Sequence, residues 1–430
     1  MQTRFSEAQL ADPRNATSEA VIRKCVHCGF CTATCPTYVL LGDELDSPRG
    51  RIYLIQDMLE NERAPGAETV KHVDRCLSCL ACVTTCPSGV NYMHLVDHAR
   101  TYIEEHHVRP WPERLIRRLL SATLPVPGRF RLALSVARAA RPLGPLLSRV
   151  APLKPLAAML ALAPARRPVS EHPPERRPDP VTGRVALLHG CVEPVLRPEY
   201  QAAARRLLSR MGFETVAAPG EQCCGALVHH LGREADALAA ARRNVDAWMR
   251  LVDDGGLAAV LVTASGCGTT IKNYGFMLRD DPDYADKAAR ISALAADISE
   301  FVARHALPRA ECRGLRVAYH AACSLQHGQK ITHAPARLLA EAGYAVVTPA
   351  EAHLCCGSAG VYNVLQPDLA GRLGDRKAAN LARLEADVIA TGNIGCATQI
   401  GLRVDTPVVH TIELLDWATG GPRPAALTAY

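Results

Sequence analysis

Two cysteine runs constrain this chain more than anything else in it. Cys25, Cys28, Cys31 and Cys35 precede Pro36 in RKCVHCGFCTATCPTY, and Cys76, Cys79, Cys82 and Cys86 precede Pro87 in DRCLSCLACVTTCPSG. Each run reads C-x2-C-x2-C-x3-C-P. Three thiolates at this spacing grip three irons of one [4Fe–4S] cubane, and the fourth cysteine reaches the other cluster. The runs therefore predict one cluster on Cys25, Cys28, Cys31 and Cys86 and a second on Cys76, Cys79, Cys82 and Cys35. Structural zinc sites take thiols as two pairs, not as triplets with a trailing Cys-Pro. A disulfide framework needs an oxidising compartment, which nothing in the chain suggests.

The chain between and after the runs has helical spacing. In SPRGRIYLIQDMLENE the apolar positions are Ile52, Ile55, Met58 and Leu59, and Ser47-Pro48 forms a helix-start signal. YMHLVDHARTYIEEH follows Cys86 with the same period. Residues 18–106 are thus expected to form an α-helical ferredoxin-type domain with two [4Fe–4S] clusters, not the compact β-rich kind.

Residues 107–180 read as a basic Pro/Arg-rich connector. Between His107 and Pro180 there are 14 Arg and Lys against 4 Asp and Glu, while the whole chain is only +6. The positive charge belongs to this segment, so nucleic acid is not an expected partner. Its prolines argue against long helices. The exception is WPERLIRRLLSATL, where Trp111, Leu115, Ile116, Leu119 and Leu120 share a side. Such a helix can dock on a neighbouring domain, the favoured reading, or rest on an anionic membrane surface. The first residues lack the apolar core of a signal peptide. The longest uncharged run, Gly255 to Ile271, falls short of the roughly 20 apolar residues of a span. The expected location is the cytoplasm, with peripheral contact on the inner face of the cell membrane as the alternative.

Residues 184–310 and 314–420 repeat one another. The first copy has Cys191, Cys223-Cys224-Gly225 and Cys267, and the second has Cys323, Cys355-Cys356-Gly357 and Cys396. The lone cysteine precedes the pair by 32 positions in both. Matched spacing of this kind signals duplication of a structural unit. Each copy alternates apolar strands with helices: RVALLHGC, ETVAAPG and AAVLVTASGC, then LRVAYHAAC, YAVVTPA and ADVIATGNIGC. That pattern predicts parallel sheets flanked by helices, with the cysteines gathered at the carboxyl edge. The fold class is therefore α+β and multidomain, a helical ferredoxin domain followed by a duplicated α/β cysteine-rich unit.

The eight repeat cysteines are candidate ligands of a further iron–sulfur cluster or of zinc. Their alternatives are redox thiols and an empty structural site. His189 and His320 stand just before the first cysteine of each copy, and His229, His230 and His353 lie near the pairs. Hydrogen bonding to local backbone is the expected role of these histidines. Cys312 belongs to no motif.

The duplicated Cys-Cys-Gly resembles the cysteine-rich domain of heterodisulfide reductase subunits. One departure is visible: Ala264 and Asn393 stand where better-known members have a fifth cysteine. Taken end to end, the chain resembles the glycolate oxidase iron–sulfur subunit family. The strings KCVHCGFCTATCPTYVLLGDELDSPRGRI, RCLSCLACVTTCPSGVNY, TASGCGT and TGNIGCATQI carry that resemblance. It implies FAD-containing partner subunits that oxidise glycolate to glyoxylate, and an electron route through this chain to a quinone or other acceptor. This chain would have no catalytic residues of its own, in keeping with the lack of a G-x-G-x-x-G loop. Two alternatives accompany it: the equivalent subunit for another 2-hydroxy acid or glycerol 3-phosphate, and a heterodisulfide-reductase-like thiol/disulfide enzyme.

Overall fold

In the computed structural model, which describes residues 1–164, 178–311 and 314–428, the stretch between the cysteine runs is helical. Helix Pro48–Glu60 starts where Ser47-Pro48 places it. The Ser47 hydroxyl accepts from the Gly50 amide, and Pro48 sits in the first turn, where its missing N–H is no loss. Helices Pro13–Arg23, Ala67–Asp74 and Tyr92–His106 pack with it, and Ile22, Ile55, Leu59, Val73, Leu95 and Ile103 form the core. No sheet forms among the described residues of this half, as expected for the helical kind of cluster domain.

The connector differs from the sequence expectation. It is helical over Trp111–Thr123, Pro127–Ala140 and Lys154–Leu162. Pro112, Pro127 and Pro155 each lie in the first turn of a helix, so the prolines start helices instead of breaking them. Residues 165–177, with Pro168, Pro173 and Pro174, lie outside the described residues. Trp111–Thr123 does dock: Ile116 and Leu120 pack with Leu231, Val361 and Val364. Arg109 and Arg117 pair with Asp74 at 2.6 and 3.1 Å. Trp111, Leu115 and Leu119 stay exposed on its outer side. Among the described residues no helix is long and apolar enough to cross a membrane.

The repeats form two parallel four-stranded sheets. The first has β1 (Gly183–Leu187), β2 (Phe213–Val216), β3 (Ala259–Val262) and β4 (Ala295–Asp297), in the order β2-β1-β3-β4. The second has β5 (Arg316–His320), β6 (Ala345–Val347), β7 (Val388–Thr391) and β8 (Val408–His410), in the order β6-β5-β7-β8. The edge strands β4 and β8 were not legible in the sequence, since three residues are too few to show a period.

Alternate residues of the inner strands serve different cores. Val185, Leu187, Leu261, Val317, Tyr319, Val388 and Ala390 meet in one cluster shared by both sheets. Ala186, Leu188, Val260 and Val262 face the helices of the first repeat, and Ala318 and Ile389 those of the second. Strands buried on both faces read as continuous apolar runs. Polar contacts tie the repeats further: His410 Nε2 donates to the Thr263 carbonyl at 2.8 Å, and the Ser265 and Ser324 hydroxyls are 2.6 Å apart.

Candidate metal centres

The two ferredoxin-type loops repeat one backbone shape. His27 and Gly29 in the first, and Ser78 and Leu80 in the second, adopt left-handed conformations at matched positions. Such turns fold a short loop tightly and aim successive amides inward, as an anionic centre requires. Cys35 and Cys86 leave each loop, with Cys35 capping helix Pro36–Leu41 and Cys86 closing helix Ala81–Thr85.

Cysteines from the two loops mix around two adjacent hollows. One is lined by Cys25, Cys28, Cys31, Cys82 and Cys86. The other is lined by Cys35, Cys76, Cys79 and Cys82. Each fourth cysteine thus sits with the opposite triplet. Pro48, Cys82 and Tyr92 form a wall common to both. Burial pushes the Cys79 and Cys82 thiols well up, and Cys31 up to about 11. Buried thiols in this condition become thiolates when a metal supplies the compensating charge. The donor set therefore fits [4Fe–4S] clusters.

Beside the second hollow lies an arginine that sequence reasoning missed. Arg51 is 1% exposed and Asp46 is fully buried. Arg51 Nη2 is 3.1 Å from Asp46 Oδ1, and the same carboxylate takes His72 Nδ1 at 3.0 Å and Arg75 at 2.7 Å. Arg51 also donates to the His72 carbonyl at 2.6 Å and lies 3.8 Å from Cys35 Sγ. Burial opposes its charge, but Cys76, Tyr92, Cys35 and Asp46 outweigh that and hold its pKa above the ordinary value. Arg100 braces the same loop by donating to Ser78 Oγ and the Cys76 carbonyl, both at 2.6 Å.

All eight repeat cysteines line one cavity of about 320 Å³, at the carboxyl ends of both sheets. Leu120, Leu124, Phe130, Leu134, Met159 and Leu162 of the connector helices cover it. Cys79 of the cluster domain packs in one cluster with Cys355, and Cys323 lies against it. The second hollow and the cavity are therefore neighbours, and Leu77 and Ser78 line both. That adjacency was not legible, because it depends on how the halves dock.

Within the cavity the repeats differ. In the first repeat Cys191 and Cys224 favour the thiolate of Cys223, the leading cysteine of the pair. In the second, Cys355 and Cys396 favour that of Cys356, the trailing one. Cys323 Sγ is 3.6 Å from Cys355 Sγ. His320, Cys356 and Cys396 bring their ligand atoms within 4.8 Å of one another, all buried. His320 joins in favouring the Cys356 thiolate through its side chain and makes no bond to local backbone, contrary to the expected backbone role. His189 is exposed, His229 lies 3.9 Å from Asp97, and the His353 carbonyl faces His327 Nε2 at 3.1 Å. His230 lines the cavity, where burial drives its pKa down to about 4. Cys312 lies outside the described residues.

The motif glycines have a clear duty. Gly225 and Gly357 both turn left-handed, at φ +86° and +87°. A Cβ on Gly357 would stand 2.6 Å from the Ala370 carbonyl oxygen. Gly357→Ala is expected to lower stability by about 1–3 kcal/mol, read as a fall in the denaturation midpoint. An unchanged midpoint would show that the turn relaxes.

Comparison with known proteins agrees with this layout. A 4Fe-4S dicluster domain model matches residues 24–90, and a cysteine-rich domain model matches residues 185–272 and 317–401. The chain is 42% identical to the glycolate oxidase iron–sulfur subunit of Escherichia coli K12, over 97% of this chain and 99% of that one. It is 32% identical to a probable glycolate oxidase iron–sulfur subunit of Bacillus subtilis 168, over 94% and 95%. Lactate utilization protein A of Bacillus licheniformis is 27% identical over 54% of this chain and 99% of its own length. A crystal structure of a hypothetical protein from Helicobacter pylori shares the fold, with TM-score 0.57 and 12% identity over 97% of this chain and 74% of that one.

Proposed function

The chain belongs to the glycolate oxidase iron–sulfur subunit family, and we propose that it takes electrons singly from flavin-bearing partners that oxidise glycolate to glyoxylate and passes them toward a quinone or another acceptor. The observation that carries this reading is the line of centres: two adjoining cysteine hollows, then the thiol cavity. The clusters supply one-electron acceptance and release; the protein sets their spacing, burial and potential. We assign Cys25, Cys28, Cys31 and Cys86 to the first and Cys76, Cys79, Cys82 and Cys35 to the second. The common wall of Pro48, Cys82 and Tyr92 keeps them adjacent, and Arg51 holds a positive charge beside the second.

The first hollow is the one near the surface. Cys28 is exposed, and Val26 and Phe30 beside it are 68% and 62% exposed. An apolar patch over the outermost cluster gives a flavin-bearing subunit the shortest approach. Phe30→Asp is expected to weaken complex formation about tenfold or more while leaving both cluster signals intact. Unaltered association would move the docking face elsewhere.

Reduction of the clusters by glycolate in the assembled complex tests the whole reading. If glycolate leaves them oxidised while lactate or glycerol 3-phosphate reduces them, the sister systems are correct. The convergence of eight thiols also supports a thiol/disulfide enzyme. That reading fails if the isolated chain, with clusters intact, does not reduce a disulfide from an artificial donor.

A further inference from the structure

We propose that the thiol cavity takes the ring of a lipophilic quinone, drawn from an anionic bilayer on which the outer faces of the connector helices rest. The cavity measures about 320 Å³, and small-molecule sites usually span about 300–1,000 Å³. Its cysteines stand at the sheet ends. Its other side is apolar, with Phe130 and Leu134 from helix Pro127–Ala140 and Met159 and Leu162 from helix Lys154–Leu162. Such a wall suits a flat, uncharged ring better than a charged or strongly hydrated acceptor. Leu77 and Ser78 reach both the cavity and the second cysteine hollow, so a ring bound here stands beside the position assigned to the second cluster.

One polar group is available to grip the ring. His230 lines the cavity, and its Nδ1 is buried with no hydrogen-bond partner. Arg100, Asp97 and His229 act on it through space, not through hydrogen bonds. Burial keeps the imidazole neutral, and a neutral imidazole carries one N–H that a quinone carbonyl can accept. Reduction turns the two carbonyls of the quinone into the two hydroxyls of a quinol. Two electrons arrive one at a time through the second cluster, and two protons come from solvent.

The helices that cover the cavity also carry the most apolar part of the surface. Among the described residues sixteen large hydrophobic side chains stand exposed, and ten of them fall between Val108 and Val150, a tenth of the chain. Trp111, Leu132 and Val136 are 69%, 69% and 62% exposed. Arg114, Arg118, Arg129, Arg131, Arg141 and Arg149 stand exposed among them, and the sequence has no Asp or Glu between Glu113 and Glu171. Apolar groups interleaved with arginine and free of acid match an anionic lipid surface. Seated in this way, the cover of the cavity lies at the lipid boundary, where a long-tailed quinone resides.

Reoxidation of chemically reduced clusters in the anaerobic full-length chain tests the site. The site rests on the electron-transfer reading above, but this experiment needs no flavin partner, so its failure is separable from failure of the glycolate assignment. A short-tailed ubiquinone analogue should reoxidise the clusters, as should ferricyanide. Met159→Trp, which fills the cavity, should slow the quinone reaction about tenfold or more while ferricyanide and both cluster EPR signals stay unchanged. His230→Phe should raise the quinone concentration for half-maximal rate about threefold to tenfold, and it decides the matter if Met159→Trp disturbs the clusters. With long-tailed quinone in phosphatidylglycerol vesicles, Trp111→Glu combined with Leu132→Glu should abolish cosedimentation and slow reoxidation, yet leave the short-tailed quinone at the wild-type rate. Unchanged quinone kinetics in both cavity variants would overturn the site. A quinone that is inert where a disulfide reoxidises the clusters would overturn it in favour of thiol chemistry. Unchanged cosedimentation of the surface variant would overturn the lipid route.

Discussion

Cys79→Ser is expected to halve the iron content, from about eight to about four per chain, and to stop electron delivery to the acceptor. Cys79 lines the second hollow and packs against the second repeat, so its loss breaks the line of centres in the middle. The flavin partner should still be reduced by substrate, because that chemistry lies upstream. Iron analysis, EPR and acceptor turnover read the three effects separately. Normal turnover with half the iron would mean that electrons bypass the second cluster.

Arg51→Met is expected to have the next largest effect, on stability and on potential together. Removing the cation leaves the Asp46 carboxylate buried with His72 and Arg75 alone. Breaking a buried pair by deleting one partner costs about 3–5 kcal/mol. Cluster reduction adds negative charge, and a nearby cation favours it. The potential of the second cluster should therefore move in the negative direction, with the first cluster less affected. A redox titration followed by EPR separates the two. Equal shifts in both clusters, or none, would show that Arg51 serves the fold alone.

Much of this protein is legible because its chemistry is repetitive. Cysteine spacing predicts a crossed pairing, and the structure places Cys86 in the hollow of the first triplet and Cys35 in that of the second. The inner strands are legible because Val185–Leu188 and Val388–Ala390 are apolar throughout. What escapes is whatever depends on register or docking. Matching His189 to His320 by distance from the lone cysteine is one residue out, and in a strand one residue changes the face. Arg51 reads as an ordinary charged position on an amphipathic helix, because its partners come from other segments: Asp46, Thr37 and the His72 carbonyl. The connector misleads because proline breaks a helix interior yet suits its first turn, and spacing alone does not distinguish the two at Pro127 or Pro155.

The core shared by the two sheets bears on how this half of the chain can evolve and unfold. Val185, Leu187 and Leu261 find their partners in Val317, Tyr319 and Val388. In a solenoid each unit offers its far face to a next one, so copies can be added or lost at the ends. Here each sheet spends that face on the other, and the pair is closed: a third copy would have nothing to cover. A chain cut between the repeats would leave both inner faces wet. Calorimetry of the intact protein should accordingly show residues 184–420 melting as one cooperative unit, with no step belonging to either repeat alone.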